Sequence, residues 1–509
     1  MDPSEPNGPP VPPERPTPAP PAWATGGGQA GEGPPAWATG GTTRELLVQG
    51  LPTEGFPDES GWPSWAVPPP VPPPRRRRRG GWVVAAVVAL LAVLVSTVLA
   101  LRPAVRVQSD GQRAGQAAAP GAATPAVTDP DPRAAVPKLL AGRARAVLRG
   151  DRATFLATVD RRRSAYYRSQ AALFTRLRTV PFSALDYRVT DRRNWATASL
   201  RRRYAPARVY LPRLQLRYRF KGQDASPVLG ELSYTFVLTR SGWRIGGEGD
   251  TRRHDVQIWD AGPVQTRRTG RTLVVHHTGG EPLAARVLEA AERGYGDVAA
   301  TWNGRWERKV VILVPGDQNE AERLLHVRDM SNIAAISASS VESGPGGKVL
   351  GNRIVVNSTL LAPYARPDLQ NVVTHEMTHV ATRTITDVPL FLAEGFAEYT
   401  ALRPFRNYPP KATRPALAQR LRAGRFDGRL PSARELRGRD GPVAYDEASS
   451  FCLWVVERYG EDKLRALYRA FAGSGPPTAD EVDRGFLEAL GVSKRTAEAR
   501  WAAWVRARL

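Results

Sequence analysis

The sequence predicts a multidomain chain in which a disordered tail and one transmembrane helix precede two folded α+β regions. Three observations carry this reading. Trp82–Leu101 runs twenty residues without a charge. Between residues 134 and 262 the apolar spacing changes from helical to strictly alternating. Beyond residue 263, short strand-like runs come before long helical stripes, one of which carries His375-Glu376-Met377-Thr378-His379.

At 509 residues the chain is too long for one ordinary domain, and 42% hydrophobic residues suffice for globular cores. The formal net charge of +23 is carried mainly by Arg. Abundant Arg, Ala, Pro and Gly match the residue usage of a G/C-rich genome. The alternative reading is attraction to anionic headgroups or acidic wall polymers. No nucleic-acid partner is expected. A single cysteine, Cys452, excludes an intramolecular disulfide, and its apolar surroundings mark it as a buried small hydrophobe.

Residues 1–80 are rich in Pro and Gly and repeat Pro-Pro-Ala-Trp-Ala-Thr-Gly-Gly at Pro20–Gly27 and Pro34–Gly41. Such a segment buries too little apolar surface to offset its chain entropy, so a disordered tail is expected. Its Trp/Pro motifs are either neutral repeats or a docking site for a cytoplasmic partner. Residues 81–102 hold the expected membrane span, since about 20 apolar residues cross the hydrocarbon core. Arg75–Arg79 lie tightly against its N-terminal side, which by the positive-inside rule keeps the tail in the cytoplasm. The expected location is therefore the cell membrane, single-pass, with the folded regions outside. Residues 103–133 read as a flexible linker.

In 134–262, Leu139-Leu140, Ala144 and Val147-Leu148 have helical spacing, and Ala171 to Leu177 forms a second stripe ended by Pro181. Leu214-Leu216-Tyr218-Phe220 then alternates with arginines, and Leu232-Tyr234-Phe236-Leu238 and Trp243-Ile245 continue the period of two. This order, with Val147-Leu148-Arg149-Gly150-Asp151 and Gly242-Trp243-Arg244-Ile245, resembles the cone-shaped nuclear transport factor two-like fold. The resemblance implies a cavity-bearing domain, here expected to be a binding or spacer module.

In 263–509, Leu273–Val275, Val310–Val314 and Arg353–Asn357 read as strands. Helices are expected over Leu283–Trp302, Pro367 to His379, Pro389 to Tyr399, Tyr445–Tyr459, Asp462–Phe471 and Ala497–Leu509. Residues four apart share a helix face, so the imidazoles of His375 and His379 can reach one metal ion, with Glu376 beside them to hold a water. A third ligand is required. The metzincin spacing fails, because Ile385 stands where its histidine would be. Asp387 is one candidate, as in aspzincins.

Downstream, Pro389-Leu390-Phe391-Leu392-Ala393-Glu394-Gly395-Phe396-Ala397-Glu398-Tyr399 resembles the third-ligand helix of gluzincins. The region as a whole resembles the peptidase MA-like group of those enzymes, a zincin-type fold. The resemblance implies Zn2+ bound by His375, His379 and Glu394, and Glu376 as general base. Glu398 would accept the free N–H of a ligating histidine, and Tyr445 would donate to the oxyanion. The Gly-x-Met-Glu-Asn exopeptidase signature is absent, which leaves internal cleavage of a peptide or protein substrate as the expectation. The strand Arg353–Asn357 could pair with an extended substrate. His276 and His277 are adjacent on a strand and point to opposite faces, and His254 and His326 are isolated, so none is a candidate ligand. The expected protein is thus a membrane-anchored zinc peptidase. The competing reading is an inactive peptidase-fold binding or sensor protein.

Overall fold

The computed structural model describes residues 48–49, 130–251, 254–341, 348–385, 387–472 and 477–509. The tail apart from Val48–Gln49, the apolar run 82–101 and the linker up to residue 129 lie outside the described residues. Among the described residues no helix is long and apolar enough to cross a membrane. The longest, Glu281–Thr301, carries Arg286, Glu289, Glu292, Arg293 and Asp297 along its length. This corrects the membrane-spanning architecture, and the cell-membrane location derived from it. The observed architecture is α+β with no spanning helix among the described residues.

The central element is a mixed six-stranded sheet. Its strands are β1 (Val48–Gln49), β8 (Val264–Arg268), β9 (Thr272–His277), β10 (Val310–Val314), β11 (Ala335–Val341) and β12 (Val349–Val356). They lie in the order β1-β11-β12-β10-β9-β8. The sheet is covered on both faces, which is why β10 is an unbroken apolar run and β9 carries Leu273–Val275 without alternation. Val274, Val310, Ile312 and Val314 face a helical layer that includes Glu281–Thr301 and Arg366–Thr382. Leu273, Val275, Val311 and Leu313 face the other way, into one hydrophobic cluster shared with the 134–262 region.

That region opens with helices Pro132–Arg149, Arg152–Ala157 and Ser164–Leu177. Two three-stranded sheets follow. One is ordered β2 (Phe182–Asp191), β4 (Arg213–Phe220), β5 (Val228–Leu232), and the other β3 (Val209–Tyr210), β6 (Tyr234–Thr239), β7 (Gly242–Glu248). The alternation read as continuous through Leu232 and Leu238 is in fact split. The chain leaves one sheet after Leu232 and enters the other at Tyr234, so the period survives while the pairing partner changes. A buried Arg353–Asp224 ion pair at 2.7 Å ties β12 to the turn after β4, and the Arg353 guanidinium lies over the Phe220 ring.

The order of the large sheet also corrects the substrate strand. β12 holds Arg353 and Ile354 between β11 and β10, paired antiparallel on one side and parallel on the other. Both its edges are occupied, so it cannot add a substrate strand. Beyond β12 lies β11, whose outer edge pairs with only the two residues of β1, at Ala338 and Ser339.

Candidate metal centre

The His375–His379 motif lies on helix Arg366–Thr382, which starts with Pro367 in its first turn and places Asp368 where its charge favours the helix N-terminus. The helix is almost wholly buried. It packs against Glu281–Thr301 at Gly294, where a Cβ would come within 2.0 Å of the Thr374 hydroxyl, so only glycine permits this approach. The second contributor, helix Leu390–Ala401, is held by Gly395 in the same way. A Cβ there would meet the Ala448 carbonyl at 2.5 Å. The small residue beside Glu394 thus lets this helix sit close enough to Gly441–Tyr459 to aim the carboxylate inward.

Three donor atoms converge. His375 Nε2 lies 3.1 Å from His379 Nε2 and 3.3 Å from Glu394 Oε2, and His379 Nε2 lies 3.8 Å from that same oxygen. Bonds of about 2.1 Å from a tetrahedral zinc ion would place its donors about 3.4 Å apart. The triangle therefore has the dimensions of a zinc site. Among the described residues His375, His379 and Glu394 form the group that could hold a metal ion, and Asp387 is not part of it.

Glu398, one turn beyond Glu394, places Oε2 3.1 Å from His375 Nδ1. An acceptor there favours a proton on Nδ1, so that in the neutral ring the lone pair of His375 is on Nε2, facing the other two donors. Burial opposes a charge on His375, but hydrogen bonds and charge from Glu394 and Glu398 raise its pKa to about 10. Burial lowers His379 to about 3 against the pull of Glu394. Glu376 is pushed up to about 7, chiefly by burial, while the charge of His375 and hydrogen bonding from Ser337 of β11 work the other way. Glu376, Glu394 and Glu398 are all buried in this one cluster, a concentration of negative charge that a divalent cation would balance.

Tyr445 of helix Gly441–Tyr459 stacks obliquely near the motif, its ring 6.1 Å from that of His375. Two contributors come from distant segments and were missed by sequence reasoning. Ser337 belongs to a strand whose Ala-Ile-Ser-Ala-Ser-Ser run lacks a clear period. Arg414 is buried behind Glu398 and donates to the Ser449 hydroxyl at 3.1 Å. No spacing rule links either to the motif.

The excluded histidines lie elsewhere. His277 pairs with Glu320 at 2.9 Å and His326 with Asp255 at 3.0 Å. Cys452 is fully buried, and burial pushes its thiol pKa up, as fits a packing residue.

No known protein family matches the chain, and no curated protein does. Among solved structures, the chain is similar to an M1 zinc metallopeptidase from Deinococcus radiodurans, solved as a point mutant. That likeness has a TM-score of 0.28 and 13% identity, and covers 64% of this chain and 62% of the other. The chain thus spans less than two thirds of that enzyme. No known family and no curated protein supports the nuclear transport factor two-like resemblance of residues 134–262.

Proposed function

We propose that the chain is a metal-dependent peptidase that holds zinc through His375, His379 and Glu394 and cleaves peptides internally. The observation that carries this is the triangle of two imidazole nitrogens and one carboxylate oxygen, 3.1 to 3.8 Å apart, with a buried carboxylic acid beside it. When bound, the ion would supply Lewis acidity, polarising a peptide carbonyl and acidifying a water.

The chain's own residues do the rest. Glu376 takes a proton from the attacking water on its carboxylate and hands it to the departing amine nitrogen. Glu398 fixes the His375 tautomer through Nδ1. The Tyr445 hydroxyl supplies a donor to the oxyanion that develops on the carbonyl. An extended substrate backbone would add beside β11, the strand next to the site with an incompletely paired edge.

The test is hydrolysis of a mixed library of internally quenched peptides by the full chain supplied with zinc. Cleavage within the peptides, lost in Glu376→Gln while zinc is retained, is the expected result. A zinc-loaded, folded chain that cleaves nothing in the library would refute the peptidase reading.

A further inference from the structure

A second polar cluster lies well away from the metal centre, inside the 134–262 region. A cavity of about 170 Å³ opens between helix Ser164–Leu177, the β2-β4-β5 sheet and the segment 254–260. At the packing density of protein interiors this space holds roughly nine non-hydrogen atoms. Its floor is apolar and aromatic, with Leu185, Leu216, Leu232, Tyr187 and Trp259 all buried.

Tyr234 lines the cavity and is only 4% exposed.

The polar walls carry two carboxylates, Glu248 and Asp260, beside Arg176, His254, Gln170 and Gln257. Glu248 stands exposed at the mouth and accepts from Gln170 Nε2 at 3.1 Å. Asp260, on the facing segment, takes the Gln257 amide at 2.8 Å. Burial, together with the charge of Glu248, raises the Asp260 pKa to about 6, against the Gln257 amide and the charge of Arg176. Arg176 also lines the space but turns its Nε to the Trp259 carbonyl at 2.7 Å. Arg143 lies behind the wall, with its guanidinium over the Phe155 ring, and donates to Gln170 and Thr158. The cavity therefore offers two carboxylates at its polar end and aromatic faces below.

We propose that this cavity binds a small primary amine with an apolar or aromatic body, its ammonium held between Glu248 and Asp260. An ammonium has three donors and no acceptor, which suits the two carboxylates and the phenol oxygen among the lining groups. The faces of Tyr187, Tyr234 and Trp259 add attraction for the cation, and the leucines accept the body.

Calorimetric titration of the full chain at neutral pH with phenethylamine, beside phenethyl alcohol as its uncharged counterpart, tests this. Saturable binding of the amine, roughly tenfold tighter than the alcohol, is expected. The double variant Glu248→Gln, Asp260→Asn should bring the amine down to the level of the alcohol. Should that variant fail to fold, Tyr234→Phe, which keeps the ring, should still weaken the amine by roughly threefold or more. Binding should survive Glu394→Ala, which alters only the metal centre. Equal binding of amine and alcohol, no saturable amine binding by the folded chain, full amine binding in Tyr234→Phe, or loss of binding in Glu394→Ala would each overturn the proposal.

Discussion

The molecule holds two polar clusters, one buried and one open to solvent at its mouth, and they are built on opposite principles. At the metal centre, His375, Glu376 and His379 lie within five residues of one helix, and Glu394 and Glu398 are one turn apart on the next. In the 134–262 region, Arg143, Gln170, Tyr234, Glu248 and Asp260 come from five separate segments. Altering the first cluster chemically is expected to leave the core around it intact. The second is woven into the hydrophobic cluster that backs the large sheet, so its charged members also hold the fold together. Chemistry concentrated in a local motif separates from stability, whereas chemistry spread across elements does not.

The sharpest contrast should come from Glu376→Gln. Peptide hydrolysis is expected to fall about a thousandfold, as for loss of a general base, with the denaturation midpoint unchanged or raised because a buried carboxylate is removed. Steady-state kinetics beside urea denaturation measures both. An unfolded or strongly destabilised variant would break the comparison from the side of the motif.

Next in size is Arg143→Leu. It removes the buried donor to Gln170 and Thr158 and leaves Glu248 without the offsetting charge behind Gln170. A loss of about 3 kcal/mol is expected from urea denaturation, with zinc content unaltered. A neutral result would show that the dispersed cluster is as separable from the fold as the local one.

Glu398→Gln should weaken zinc binding by about 10- to 100-fold, read by competition with a chromophoric chelator, because the His375 tautomer is no longer held by a charged acceptor. Gly395→Ala bridges the two principles. Its Cβ would collide with the Ala448 carbonyl, so a loss of about 1–3 kcal/mol in stability should accompany weaker zinc binding. Zinc binding unchanged in that variant would mean that the position of Glu394 does not depend on this helix contact.

The smallest effect concerns His277, which belongs to neither cluster. Its pKa is raised, chiefly by the hydrogen bond to Glu320, against burial. A raised folded-state value means that the pair stabilises fully below the unfolded pKa of about 6.5 and loses that contribution as pH rises through the folded value. Stability should therefore decline modestly above about pH 6.5, and the decline should flatten in Glu320→Gln. An identical pH profile in the variant would exclude this pair as the source.

The same contrast explains what could be read from the sequence. The helices bearing Glu376 and Glu394 were legible because their period, their opening prolines and their ligand spacing are all local signals. β9 and β10 were legible as apolar runs. The edge of the sheet was not. That β12 is internal and β11 lies beyond it depends on strand order, which pairs residues far apart in the chain. For the same reason Ser337 and Arg414 gave no warning of their closeness to the site. The switch of sheets at Ser233 was hidden because alternation reports a face and says nothing about the neighbouring strand. The apolar run 82–101 stands apart from all of these, since it lies outside the described residues.

The central claim is that His375, His379 and Glu394 form one metal site. Zinc content of the purified full chain after dialysis, measured by mass spectrometry beside Glu394→Ala, tests it most directly. About one zinc per chain in the wild type, and little in a variant that stays folded, is the expected result. A folded wild type that retains no divalent metal, or a variant that retains as much zinc as the wild type, would contradict it.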